Sequence, residues 1–179
     1  MLLPVDGHIG NTGPMPRRTF QPLLLLLASA AILGTALASQ YWGGLRPCVL
    51  CIYQRYPYAV VIGLSAIALA FAARDGGRLP AALLALSAVA LGIGAAIAAY
   101  HVGVEQHWWV GTAECGMTET AGTVEALRAQ ILGRAPVRCD EIAWSLFGIS
   151  MAGYNVVASL LLGGYAAWAA RLTWQDNPS

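Results

Sequence analysis

Four long apolar runs, separated by polar breaks of unequal length, set the pattern of this chain. Pro22 to Ala38 is almost uninterrupted Leu and Ala and continues through Ser39 and Gln40, so the first span is expected over 22–40. Further runs cover 52–73, 79–100 and 145–168. At 1.5 Å per residue each is about long enough to cross a hydrocarbon core of roughly 30 Å. Aromatic residues gather at the run ends: Tyr53, Tyr56 and Tyr58 open the second, Trp108-Trp109 follow the third and Trp144 precedes the fourth. Such clusters suit the membrane–water interface. Pro57, in the first turns of the second run, is tolerable there as a kink. The pattern predicts an all-α integral membrane protein, a four-transmembrane-helix bundle.

The breaks complete the plan. Residues 1–21 read as a disordered N-terminal tail, 22–171 as a single membrane domain and 172–179 as a short polar tail. Arg74 to Arg78 is a hydrophilic turn, and 101–143 is the one long hydrophilic loop. Within it Val124, Leu127, Ile131 and Leu132 recur at helical spacing, with Glu125, Arg128 and Gln130 between them. This predicts a short amphipathic helix, lying on the membrane surface or packed onto the bundle. The first run also has a competing reading as a signal peptide ending at Ala36-Leu37-Ala38, although its length and the Gln40 to Trp42 belt favour a retained helix.

Composition agrees with the membrane reading: 58% of residues are hydrophobic, 11% are charged, and every basic residue is arginine. A net charge of +1 without any basic run gives no footprint for nucleic acid. Four spans place both termini on one side. Arg17, Arg18, Arg74, Arg78 and Arg171 flank the spans there, and the positive-inside rule makes that side cytoplasmic. The long loop and all four cysteines then face the periplasm, an oxidising compartment in which disulfides persist.

Cys48 and Cys51 form a C-x-x-C at the start of the second run, and Arg55 follows one helical turn later. Unpaired N–H groups at a helix N-terminus stabilise a thiolate, which is the attacking species in disulfide exchange. An arginine at the edge of a span either snorkels to the interface or binds something. Cys115 and Cys139 bracket the amphipathic stretch of the loop. Two pairs on one face suit a relay, with the loop pair meeting a soluble partner and the inner pair a lipid-soluble acceptor. Two structural disulfides in a non-enzymatic scaffold are the alternative. A zinc site made of all four cysteines fits poorly, because the second pair lacks C-x-x-C spacing, and no metal is expected. His101, Glu105 and His107 read either as interfacial residues or as proton carriers.

Pro47-Cys48-Val49-Leu50-Cys51-Ile52-Tyr53-Gln54-Arg55 resembles the P-C-x-L-C-x-x-x-R signature of the DsbB family of disulfide bond formation proteins. Cys139, Glu141, Trp144, Gly148 and Met151 resemble its second motif, C-x-E-x-x-W-x-x-x-G-x-x-M. The resemblance runs from the first span to the fourth and looks closest to proteobacterial members. It implies a multi-pass inner-membrane enzyme that reoxidises a periplasmic DsbA-like thiol oxidase and passes two electrons to a membrane quinone, ubiquinone in preference to menaquinone.

By position, the resemblance implies that Cys115 meets the DsbA-like partner and Cys139 is its loop partner. Cys139 then attacks Cys48, Cys51 faces the quinone, and Arg55 holds it. The family's quinone-side histidine is carried to His107, whose spacing to the loop cysteine departs from the family pattern. Gln54 stands where an acidic residue is common, with little effect expected. A paralogue serving a dedicated partner is also compatible with these motifs.

Overall fold

The computed structural model describes residues 17–72, 78–113, 115, 124, 128 and 137–176. Helix α1 spans Arg17–Tyr41, α2 Val49–Tyr53, α3 Arg55–Ala72 and α4 Leu79–Glu105, and α5 is Met151–Gln175. Strands β1 (Ser145–Leu146) and β2 (Ile149–Ser150) form a two-residue-turn hairpin just before α5. Four stretches are long and apolar enough to cross a membrane: α1, α2 with α3, α4, and α5. Large apolar side chains such as Leu27, Leu86, Val89, Ile93 and Leu161 point outward from them. That is the natural arrangement where the surroundings are hydrocarbon rather than water.

The helices pack as a bundle in which α4 lies between α3 and α5, while α1 leans on α3 and scarcely touches α5. Leu25, Tyr58, Val61, Leu84, Leu91, Ala166 and Ala169 form the central core. Small residues let the backbones approach. A Cβ on Gly94 would stand 3.1 Å from the Pro57 ring, tighter than an ordinary contact, so glycine at 94 eases the close approach of α3 and α4 there. At one end of the bundle, Thr173 Oγ1 donates to the buried Gln21 Oε1 at 2.9 Å and joins α5 to α1.

Several boundaries differ from the hydropathy reading. Helix α1 begins at Arg17 instead of 22 and the last helix runs to Gln175 instead of 168, and three further differences bear on the site. The second span is broken: α2 ends at Tyr53, Gln54 is a turn, and α3 restarts at Arg55. The third helix continues five residues past the expected end at 100, to Glu105. Val102, Gly103 and Val104 carry the apolar pattern onward, so His101 and Glu105 are helical core residues and not the opening of a loop. The fourth span begins at Met151, not at 145. Residues 145–150 are apolar enough to resemble helix, yet Phe147 and Gly148 both take positive φ, 50° and 78°. That pair is the backbone of a tight hairpin turn with the twist of its strands. Ser150 then caps α5, its Oγ accepting the Gly153 N–H at 3.1 Å.

The expected amphipathic loop helix lies outside the described residues except for Val124 and Arg128, which are helical and exposed. The expected N-terminal tail lies outside them up to residue 16; Arg17 to Gln21, read as part of that tail, are instead the first turn of α1, with Gln21 buried.

Candidate functional site

Cys48 is the N-cap of α2: its backbone is extended and its sulfur accepts the Cys51 N–H at 3.3 Å. The two sulfurs stand 2.9 Å apart as unbonded thiols, Cys48 buried and Cys51 half-buried. The hydrogen bond from Cys51 holds the Cys48 thiol well below its usual range. Burial opposes this, and His101 adds to the depression.

His101 comes from α4 and is buried, with Nε2 3.5 Å from Cys48 Sγ. Its Nδ1 lies 2.7 Å from Gln54 Nε2, the residue at the α2–α3 break. Gln54 Oε1 in turn accepts Asn155 Nδ2 of α5 at 2.5 Å, and Asn155 Oδ1 accepts Tyr58 Oη of α3 at 2.6 Å. One turn along α4, the buried Glu105 presents Oε1 3.8 Å from His101 Nε2 and accepts the Ser150 hydroxyl. A polar network thus crosses the bundle behind the dithiol. Cys48, Cys51 and His101 also have their donor atoms within 4.8 Å of one another, a soft donor set of the kind that ligates zinc.

Arg55 begins α3, one turn after Cys51, and reaches α1, donating to Gln40 Oε1 at 2.5 Å and to the Ala36 carbonyl at 3.5 Å. Beside it is a cavity of about 720 Å³ between α1, α3, the hairpin and the start of α5. Its wall is mostly apolar, and Cys51, Arg55, Gln54 and Trp144 line it. A flat aromatic headgroup with two carbonyl oxygens fits such a space: apolar walls, one guanidinium to donate to an oxygen, and one sulfur within reach.

Cys115 and Cys139 are disulfide-bonded and buried, and they form one cluster with Cys48, Leu50 and Val104. The backbone of Cys139 also faces the His101 ring. The loop is fastened to α4 by a folded-back tryptophan. Trp109 stacks on Tyr100 at 5.9 Å and its Nε1 donates to the Tyr100 carbonyl at 3.0 Å, while Tyr100 Oη donates to the Val110 carbonyl at 3.0 Å. Gly103 makes room for this, since a Cβ there would overlap the Trp109 ring.

All four cysteines and Arg55 therefore lie at one end of the bundle, around the dithiol and its cavity. His107 does not join them. Its ring is exposed, 4.0 Å from Asp140, whose carboxyl is held below the usual range by Arg138, and it does not line the cavity. The histidine at the dithiol is His101. Reading 101 as the start of a loop hides it; the signal is Val102 to Val104, which extend the apolar helix by one more turn. Gln54, expected to matter little, sits at the centre of the network, as do Glu105 and Asn155.

The chain matches the family model described as "Disulfide bond formation protein DsbB" over residues 17–169. It is similar to the disulfide bond formation protein B of Xanthomonas campestris pv. campestris (strain 8004), 35% identical over 155 residues, covering 83% of this chain and 86% of that one. The same-named protein of Methylococcus capsulatus is 34% identical over 162 residues, covering 87% and 94% of the two chains. That of Methylobacillus flagellatus is 32% identical over 149 residues, covering 80% and 87%. No solved structure matches the chain.

Proposed function

The chain belongs to the DsbB family, making it a disulfide-generating oxidoreductase of the inner membrane, and we propose that its four cysteines relay two electrons from a periplasmic DsbA-like oxidase to a membrane quinone. The observation that carries this reading is the packing of both cysteine pairs into one buried cluster, with Cys51 alone of the four lining the apolar cavity beside Arg55. A scaffold with two structural disulfides has no need of that cavity or of a buried histidine at Cys48.

The steps follow from the geometry. A thiolate of the partner attacks Cys115, the Cys115–Cys139 bond breaks, and Cys139 leaves as thiolate. Cys139 then attacks Cys48 of an oxidised inner pair and displaces Cys51 as thiolate. The partner's second thiolate then attacks the mixed disulfide, so the partner leaves oxidised and Cys115 is released as thiolate. Cys115 attacks Cys139, re-forms the loop disulfide and displaces Cys48, and both electrons rest on Cys48 and Cys51. Quinone, when bound, takes up two electrons and two protons as the Cys48–Cys51 bond re-forms. Arg55 supplies positive charge where negative charge develops on its oxygen. Ubiquinone is the expected acceptor. The cysteine-bearing face is periplasmic and the termini cytoplasmic, a reading supported by Arg17, Arg18, Arg74, Arg78 and Arg171 at the opposite ends of the spans.

Purified protein mixed with a reduced DsbA-like partner and a soluble ubiquinone analogue should reduce the quinone in step with partner oxidation. Cys51→Ala should abolish this. Normal turnover in Cys51→Ala, or thiol trapping in which both pairs stay oxidised beside the reduced partner, overturns the relay.

A further inference from the structure

The hydrogen bonds around Gln54 have a direction. Asn155 Oδ1 receives the Tyr58 hydroxyl at 2.6 Å, and Ser159 Oγ sits beside it, 2.8 Å from Tyr58 Oη and 3.3 Å from Oδ1, so the Asn155 amide turns its oxygen to this hydroxyl pair. Its Nδ2 is left for Gln54 Oε1, 2.5 Å away. With its oxygen occupied, Gln54 points its NH2 at His101 Nδ1 across 2.7 Å. An amide NH2 can only donate, so Nδ1 must offer a lone pair, and the single proton of neutral imidazole sits on Nε2. Nε2 is the atom that faces Cys48 Sγ at 3.5 Å.

We propose that Gln54 is a positioning residue which, backed by Asn155, Tyr58 and Ser159, locks His101 in the Nε2–H tautomer so that its N–H is always aimed at the sulfur of Cys48. This rests on the relay reading, in which Cys48 must leave as thiolate when Cys115 reclaims Cys139. An N–H already directed at that sulfur needs no reorganisation as the S–S bond breaks. The proton stays on Nε2 during this step; the electron pair of the broken bond goes to Cys48.

Other groups also face the ring. Cys48 and Cys51 approach from α2, the backbone of Cys139 from the loop, and Glu105 from α4, at 3.8 Å from the same Nε2. Glu105 carries the Ser150 hydroxyl on its other oxygen. Both carboxylate and thiolate therefore favour a donor at Nε2, while Gln54 favours an acceptor at Nδ1. Replacing Gln54 by a carboxylate reverses only the second preference, because Glu accepts where Gln donates.

The test is the imidazole 15N spectrum of the full chain in nanodiscs, reduced, with ring-labelled histidine. His8→Ala and His107→Ala leave His101 as the one labelled ring. The expected spectrum shows a protonated Nε2 and a bare Nδ1, and Gln54→Glu should move a proton to Nδ1. Asn155→Ala, a milder change that frees the Gln54 amide to turn, should give a mixture of the two tautomers. In stopped-flow, Gln54→Glu should slow transfer of electrons from the loop pair to the inner pair by about tenfold, the effect of one misdirected hydrogen bond to a charged group. A protonated Nδ1 in the unaltered ring, or a tautomer indifferent to both substitutions, overturns the proposal. The spectrum is read without turnover, so failure of the lock is distinguishable from failure of the relay, which Cys51→Ala tests.

Discussion

Arg55 does not wait free in its cavity: its Nη1 is bonded to Gln40 Oε1 of α1 across 2.5 Å. The guanidinium is thereby aimed along one wall, with donors left over for a bound oxygen. Arg55→Met should raise the quinone concentration needed for half-maximal rate and lower catalytic efficiency about ten- to hundredfold, the range for a charged hydrogen bond. Gln40→Ala, which removes only the brace, should cost less than Arg55→Met. Equal losses in the two variants would mean that Gln40 itself meets the quinone.

Two histidines close in sequence should behave oppositely. His107 is exposed beside Asp140, so His107→Ala should leave quinone reduction within about twofold, as for a surface change away from the chemistry. His101→Ala removes the buried partner of Cys48 and should lower the rate at least tenfold, as loss of a charge-assisted hydrogen bond does. Steady-state assays of the two variants side by side decide it, and a larger loss in His107→Ala would return the role to the loop.

The Cys48 thiol should be ionised in the reduced protein at neutral pH, where a free thiol of pKa about 8.5 is not. Its pKa is depressed by folding, so its contribution to stability is complete above the unfolded thiol's pKa and is lost as pH falls through the folded value. Thiolate absorbance in the far ultraviolet should persist as pH is lowered from neutral into the mildly acidic range and disappear in Cys48→Ala. An absorbance that vanishes across that interval would contradict the capped geometry at α2.

Gly103→Ala should loosen the loop without unfolding the bundle. The added methyl displaces Trp109 from Tyr100, and overpacking of this kind costs about 1–3 kcal/mol. Limited proteolysis should cleave the loop faster, and near-ultraviolet dichroism should lose tryptophan signal, with far-ultraviolet helicity retained.

Ser150→Ala removes the N-cap of α5 and the hydroxyl on Glu105 together. Cap loss alone costs about 1 kcal/mol, and leaving the buried carboxylate short of a donor adds to it. Thermal unfolding in detergent should start lower than in Ser150→Thr, which keeps both bonds.

The four spans and the two cysteine motifs were legible because each is a local pattern: apolar runs long enough for a bilayer, and thiols at fixed spacing. What escaped was nonlocal or depended on a single φ. Phe147 and Gly148 turn an apolar stretch into a hairpin through positive φ, which hydropathy does not register. His101 acquires its role only when α4 runs on to Glu105 and brings residue 101 against residue 48. Gln54 looked neutral because its partners, His101 and Asn155, are 47 and 101 positions away along the chain.

The weak packing of α1 against α5 has a consequence for supply. Both helices border the cavity that Cys51 and Arg55 line, so a membrane-dissolved substrate is expected to reach it sideways from hydrocarbon, between them. A substrate entering there is encountered at its abundance per area of membrane, and the product departs into the same sheet. Saturation should follow the mole ratio of quinone to lipid and be indifferent to the volume of the surrounding buffer. Diluting vesicles twofold would then leave the rate per enzyme unchanged, whereas adding empty lipid that fuses with them would slow it.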